Sequence, residues 1–397
     1  MTTWLRQTVA VMAVNLRTIP SRVSSSAVAI IGIAGVVVVF VSVLSIAAGF
    51  SAAMEGSGSP RRAIVMRSGA DSELTSGLDG QDVEVIKQAP GIRRYGQRLL
   101  ASAELYVIVD LPKKATPDKA ANVPMRGIEP PAMSVRDGVS LVEGRMFQFG
   151  TNEVIVGRGA NSQFLGLEVG KTVVSGQNRW QVVGVFEADG SVAETEIWCD
   201  VRTLQGVYQR GNSYQSLLAS LDTTESFDMF RDWLTSNPQL SVMIRRENEY
   251  YAGQSRMLTQ LIQTIGVGIG ALMGVGAIFG AILTMYTAVA TRAREIATLR
   301  ALGFNTASVL VSVLAESLVL GLIGGLIGTV GAYVAFNGYT TSTMNTQTFS
   351  QVAFAFRVTP ALLALGLFYA LAMGFIGGLL PAIRAARLPI PTALREL

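Results

Sequence analysis

Few residues in this chain are of a type and spacing that could do chemistry. Gly170-Lys171-Thr172 is the second half of a phosphate-cradling loop. The opening glycine of the GxxxxGK[ST] pattern would have to fall at position 165, which is Leu165, and no complete match occurs elsewhere. Any nucleotide chemistry is therefore expected on another polypeptide. The sequence contains no histidine, which removes the commonest metal ligand and the commonest general base together. Cys199 is the only cysteine, so no intrachain disulfide can form. Beside Trp198 it reads as a small buried hydrophobe rather than a reactive thiol. No catalytic, cofactor-binding or metal-binding residue is expected. What remains is Thr291 to Phe304, TRAREIATLRALGF. Ile296, Leu299 and Leu302 recur at three-residue steps, with Arg292, Arg294 and Arg300 around them. That spacing gives a short amphipathic helix with an apolar stripe and basic flanks. Its chemistry is either docking on a partner or simple anchoring at a basic membrane face.

The elements around this segment are membrane-length. Half of all residues are hydrophobic and 15% are charged, against about 25% in a soluble domain. Charge is thus kept out of long runs. The net charge of +4 is small, and no basic cluster is interleaved with aromatics, which argues against nucleic acid as a partner and for membrane lipid. The expected order is an amphipathic helix over residues 1–22, or a solvated lead-in, then a first span over 23–50. A domain over 51–255 follows, then a second span with a stalk over 256–290 and the docking loop 291–306. A third span covers 307–336, a short polar loop 337–359, a fourth span 360–380 and a tail 381–397. The first apolar run is too long for a signal peptide. The uncharged stretch from Leu258 to Ala290 would make a helix of about 50 Å, longer than a bilayer needs.

Arginines set the orientation. Arg6, Arg17 and Arg22 precede the first span; Arg292, Arg294 and Arg300 lie in the central loop; Arg384, Arg387 and Arg395 lie in the tail. Between the third and fourth spans Arg357 stands alone. Basic segments stay in the cytoplasm, so both termini are expected there. Within the spans, Gly266, Gly270 and Gly274 recur at four-residue steps, as do Gly276 and Gly280, Gly321 and Gly325, and Gly324 and Gly328. Such spacing allows close helix approach in lipid, although glycine is also common in membrane helices generally. Glu316 is the one charge in its span, about ten residues in. It is either a functional carboxylate or, if the helix begins later, one that snorkels or pairs with a cytoplasmic arginine.

The domain over 51–255 alternates short apolar runs with turn residues. Strands are expected near residues 63–66, 105–109, 153–156, 171–174, 180–186, 196–198 and 217–221. Asp79 reads as the N-cap of a helix to Gln88, and Ser226 to Thr235 reads as another helix. The mixture predicts an α+β domain. The proline-rich stretch Pro112 to Pro131 reads as a subdomain boundary, and Ser140 to Tyr208 as nearly all strand.

Arg292-x-Arg294-Glu295-Ile296-x-x-Leu299-Arg300-Ala301-Leu302-Gly303 resembles the cytoplasmic loop motif of the FtsX/MacB-type permeases of ABC transporters. The tail from Pro381 through Arg384, Arg387 and Leu388 to Arg395 resembles that family's C-terminal motif. The strands from Glu143 to Phe186 resemble part of the MacB-type periplasmic domain. The resemblance implies four transmembrane helices with a large α+β extracytoplasmic domain between the first two. Porter-like α/β halves would flank a β-rich lobe at about 131–214. It implies that Arg292, Arg294, Glu295, Ile296, Leu299, Arg300, Leu302 and Gly303 form a coupling helix on a separate cytoplasmic ATPase subunit, which binds the ATP. It further implies a second permease copy or homologue, a periplasmic adaptor, and a bacterial inner-membrane location. MacB-type export toward an outer-membrane duct is the first reading. FtsX-like activation of a cell-wall hydrolase and LolC/E-like lipoprotein extraction are the alternatives.

Overall fold

The computed structural model describes Thr8, Met12 and residues 23–390 other than Gly176, Gln177, Thr346 and Phe349, with backbone alone at residues 23–25. The helix expected over residues 1–22 therefore lies outside the described residues except at Thr8 and Met12, as do residues 391–397 of the tail. The chain divides into two compact units. One comprises Gly49–Thr259 and Thr340–Ala355, and the other the chain through Ala48, Gln260–Tyr339 and everything from Phe356.

The first unit is built on a ten-stranded mixed sheet. Its strands are β1 (Arg62–Arg67), β2 (Ala101–Pro112), β3 (Ala120–Ile128), β4 (Ser140–Gly144), β5 (Glu153–Gly157), β6 (Thr172–Ser175), β7 (Asn178–Glu187), β8 (Ile197–Asp200), β9 (Ser216–Ser220) and β10 (Val242–Arg246). Their order is β10-β1-β9-β2-β3-β8-β5-β7-β4, with β6 also paired to β7. Pairing is antiparallel except between β3 and β8 and between β5 and β7. The two-residue period of a strand explains the layering. In β1, Ala63 and Val65 join the main core while Ile64 and Met66 join a second cluster on the opposite face. A strand covered on both sides reads as an unbroken apolar run. In β2, alternate residues Ala101 to Leu111 enter the main core, which leaves Ser102, Glu104 and Tyr106 on the other face, also buried. Three short helices contribute to the core on that face. The first long helix is α1 (Val23–Gly56), and the short α2 (Gly80–Ile86) is fixed by Asp79, whose side chain accepts from the Gly80 N–H at 2.6 Å. Asp200 caps α3 (Val201–Val207), and α4 (Ser226–Ser236) inserts Phe227, Phe230 and Leu234 into the core.

Several expectations change here. Pro112 to Pro131 is no boundary: it contains β3, which pairs with β2 over eight residues and lies inside the sheet. Pro124 is tolerated because β8 pairs with β3 only from Met125 onward, so no parallel partner needs its missing N–H. The β-rich region at 131–214 consequently continues the same sheet. Ser140 to Tyr208 is not all strand, since α3 and a helical turn at Arg158–Gln163 interrupt it. The loop 337–359 contains a hairpin, β11 (Thr340–Met344) and β12 (Gln351–Ala355), that belongs to the sheet unit. Lys113 Nζ donates to Gln351 Oε1 at 3.0 Å, and Asn345 Nδ2 to Gln254 Oε1 at 2.8 Å.

The second unit is helical. Among the described residues four helices are long and apolar enough to cross a membrane: α1 from Ser26, α5 (Glu247–Thr291), α7 (Thr306–Phe336) and α8 (Pro360–Arg387). Both α1 and α5 contribute residues to each unit. α5 begins well before residue 256, at Glu247, directly after β10, and Glu247 pairs with Arg62 of β1. α8 continues past Leu380 to Arg387 with Pro381 inside it. The proline removes one backbone bond, and Gly377, four residues earlier, adds no side chain to the crowded turn.

Candidate functional site

The short helix α6 (Ala293–Ala301) sits between α5 and α7, as the spacing of Ile296 and Leu299 predicts. Arg292 ends α5 with a non-helical backbone, which starts the turn. Gly303 has φ +95°, a left-handed conformation that stops α6 and that glycine adopts without strain. Asn305 then caps α7, its side chain accepting from the Ala307 N–H at 3.1 Å.

α6 has two unlike faces. Ile296 and Ala297 are buried, with Ile296 packed among Met285, Val289, Val309 and Val313. Arg292 is also buried: its guanidinium bonds Glu316 at 3.2 Å and Glu295 at 3.1 Å. Glu316 thus pairs with an arginine of the central loop. It also moves Arg292 and Ile296 off the outer face, because both hold α6 to α5 and α7. Arg300 donates to the Leu388 carbonyl beyond α8, and Leu299 is half-buried. Arg294, Glu295, Thr298, Leu302 and Gly303 are exposed, Leu302 by 73%. Behind α6 lies a cavity of about 350 Å³, with apolar walls and the Arg292 cluster in its lining.

The glycines divide by face. A Cβ on Gly266 would lie 2.7 Å from Val43, one on Gly270 2.6 Å from Phe40, and one on Gly274 closer still to Tyr369. These three let α5 approach α1 and α8. On α7, Gly321 and Gly325 meet Ala370 of α8, whereas Gly324 and Gly328 meet Ile30, Ile33, Ala34 and Val37 of α1. A Cβ on Gly276 or Gly280 would meet nothing within 4 Å among the described residues.

One constellation has no counterpart in the motif reading. On the polar face of the sheet, Arg126 of β3 uses all five N–H groups on three carboxylates. Glu73 and Glu196 each bind it through both oxygens, and Glu104 through one, at 2.7–3.0 Å. Arg136 grips Glu104 with two further bonds of 2.6 Å. Ser216 donates to Glu73, and Trp198 Nε1 to Glu196. Burial alone would push the Glu104 carboxyl up; Arg136 and then Arg126 outweigh that and hold it below the usual range. The available signal was a charged residue at the even positions of otherwise apolar strands, Glu104 and Arg126; Glu73 lies in a polar stretch and gave none. Cys199, also on this sheet, is buried, and burial pushes its thiol pKa up. Among the described residues no group of three or more Cys, Asp and Glu could hold a metal ion.

A family model described as the MacB-like periplasmic core domain matches residues 26–237, and one described as the FtsX-like permease C-terminal matches residues 267–390. The first alone spans more than half of the chain. The chain belongs to the FtsX/MacB-type ABC permease family. Permeases of this family are non-catalytic transmembrane subunits that work with a cytoplasmic ABC ATPase. Among the solved structures similar to this permease are two extracytoplasmic domains. The extracellular domain of the ABC-type transporter YknZ from Gram-positive bacteria shares 16% identity, covering 47% of this chain and 100% of that one, with a TM-score of 0.36. The periplasmic region of MacB from Actinobacillus actinomycetemcomitans shares 16% identity, covering 51% and 92%, also with a TM-score of 0.36. No curated protein sequence matches the permease. Its family assignment rests on the two family models.

Proposed function

We propose that this permease transmits the nucleotide cycle of a separate ATPase to its sheet domain across a bacterial inner membrane, and that it does so in export of a periplasmic substrate. The observation that carries this reading is α6, which is pinned from behind by Ile296, Ala297 and the Arg292–Glu316 pair while Arg294, Glu295, Thr298 and Leu302 face outward. A short helix held rigidly on one side and open on the other is suited to pass a push from a docked partner into α5 and α7. The arginine bias places α6 and both termini in the cytoplasm and the sheet domain outside. The exposed stripe of Leu261, Leu272, Val275, Phe279 and Leu283 on α5 is the surface offered to lipid and to a second permease copy. A match to the MacB-like periplasmic core favours export with a periplasmic adaptor and an outer-membrane duct over hydrolase activation or lipoprotein extraction.

The test is co-purification with the ATPase after charge reversal on the outer face. Arg294→Glu with Leu302→Asp is expected to abolish ATPase association while the permease still folds and inserts. Unchanged association would contradict the docking role of α6. Recovery of an adaptor and duct proteins with the wild-type complex supports export; recovery of a hydrolase or a bound lipoprotein supports the alternatives.

A further inference from the structure

We infer that the exposed hairpin from Arg94 to Leu99 binds the headgroups of anionic phospholipids in the membrane that α1 and α5 cross. The hairpin pairs Arg94 with Leu99 and Tyr95 with Arg98, and Gly96, at φ +60°, takes the first position of its two-residue turn. Its base is tied to one end of the sheet. The Arg93 N–H donates to the Ser220 carbonyl of β9, and the Ser220 N–H donates to the Leu100 carbonyl, both at 2.8 Å. Arg62 of β1 is the register partner of the same Ser220, so Arg61 and Arg93 flank the end of β9. Arg61, Arg93, Arg94 and Arg98 are all exposed. Among the described residues no carboxylate pairs with any of them, and the Arg61 guanidinium donates to the Asp222 main-chain carbonyl. Four guanidiniums against the neighbouring exposed carboxylate of Asp222 leave three positive charges. The acids of the adjoining α4 already face other arginines: Asp228 and Asp232 bond Arg231, and Glu225 lies beside Arg246. Tyr95 is 78% exposed, and Met229, close to Gly91 at the entry to the hairpin, 51%. An exposed aromatic ring among arginines suits a membrane interface, the ring at headgroup depth and the guanidiniums on phosphates. The same end of the sheet receives both long helices. α1 leads into β1, and β10, paired with β1 up to Arg246, leads into α5 at Glu247. The uncharged run of α1 ends before Glu55, and Arg61 follows six residues later, about 20 Å at full extension. An acidic protein would answer the same charges, but the chain itself holds a bilayer within that reach. The inference needs α1 and α5 to cross the membrane and is independent of any ATPase, adaptor or exported substrate.

The test uses the full-length permease in nanodiscs, either of phosphatidylcholine alone or of equal parts phosphatidylcholine and phosphatidylglycerol. Gln97→Cys, at the exposed second turn position, carries a nitroxide; Cys199 is buried and stays unlabelled. On the mixed lipid the label should be immobilised and shielded from an aqueous relaxant, and about 0.5 M salt should release it. On phosphatidylcholine it should stay mobile. Each basic side chain near an anionic surface is worth about fivefold in binding. Arg94→Gln should therefore lower the ratio of immobilised to mobile label about fivefold, and Arg93→Gln, Arg94→Gln and Arg98→Gln together should abolish immobilisation. These positions are exposed, so the fold is kept, and Arg94→Lys should bind like the wild type because the charge remains. The same spectrum on both lipids, or immobilisation that survives the triple variant, would overturn the inference. A label that is mobile on both lipids but immobilised by soluble polyglutamate would assign the hairpin to an acidic protein and equally overturn it.

Discussion

Arg126→Met and Glu73→Gln should differ sharply although both alter the same buried cluster. The cluster holds three carboxylates, Glu73, Glu104 and Glu196, against two guanidiniums, Arg126 and Arg136. Arg126 is 2% exposed and its five N–H groups are all engaged. Methionine matches much of its volume but none of its charge. Its removal strands Glu73 and Glu196 without a cation and leaves Arg136 alone on Glu104. Breaking one buried pair costs about 3–5 kcal/mol. Stranding two carboxylates takes the loss to the upper end of that range or beyond, a large share of the 5–15 kcal/mol that stabilises an ordinary domain. Glu73→Gln acts in the opposite sense. It brings the cluster to two of each sign and keeps an acceptor toward Arg126 and Ser216, so the loss should stay near the 0.5–1.5 kcal/mol of a hydrogen bond. For a unit of more than 200 residues each kcal/mol moves the melting temperature by about 2–4 °C. Glu73→Gln should then lower it by less than about 6 °C, and Arg126→Met by about 10 °C or more, if the protein folds at all. Near-ultraviolet circular dichroism of the full-length permease reads this directly, since Trp198 donates to Glu196 and stacks on Phe186 at 4.3 Å. Equal losses for the two variants would show that shape, not charge balance, governs the cluster.

Three further outcomes are expected. Glu104, held below its usual pKa, contributes stability that is present above the unfolded value of about 4.3 and is lost as pH falls through the folded value. The melting temperature of the sheet domain should therefore fall below about pH 4.5, and a flat profile down to pH 3 would contradict the assignment. Gly328→Leu and Gly266→Val place side chains where even a Cβ lies 2.7–2.8 Å from Ala34, Val37 or Val43, and each should cost about 1–3 kcal/mol by overpacking. Gly280→Ala, with nothing within 4 Å, should be neutral or stabilising in the same detergent-melting assay. Glu316→Ala leaves Arg292 buried with Glu295 as its remaining acidic partner among the cavity lining, and should loosen α6 enough to expose its amides to hydrogen exchange, whereas Leu302→Ala should leave that exchange unchanged.

The helical part was legible because lipid-length runs and a charged interruption are one-dimensional signals. Uncharged residues from Leu258 to Ala290 could hardly form anything but a long helix. The direction of each α6 side chain was less so. The arginines of Thr291 to Phe304 look alike in sequence, and only the position of Glu316 on α7 decides that Arg292 turns inward. In the sheet, β1 and β7 announced themselves by β-branched runs, but β3 was hidden by Pro124 and its flanking prolines. The hairpin β11–β12 was masked by its Ser and Thr content, although Val352 and Phe354 do alternate as a half-buried strand should. Sheet order could not be read at all, since β1 finds its neighbours more than 140 residues downstream, in β9 and β10. The ionic cluster depends on that order, because Glu73, Glu104, Arg126 and Glu196 meet only once the strands are assembled.

The proposed coupling requires α6 to touch an ATPase through its outer face. Cys199 is the only native cysteine, buried and with a thiol held protonated by burial, so an introduced surface thiol would be the one reactive site. Leu302→Cys, at a 73% exposed position, is predicted to crosslink to the ATPase in native membranes, while Ala297→Cys, at a 1% exposed position on the inner face, is predicted not to. Crosslinking at neither position, or at Ala297→Cys instead of Leu302→Cys, would contradict docking through the outer face of α6.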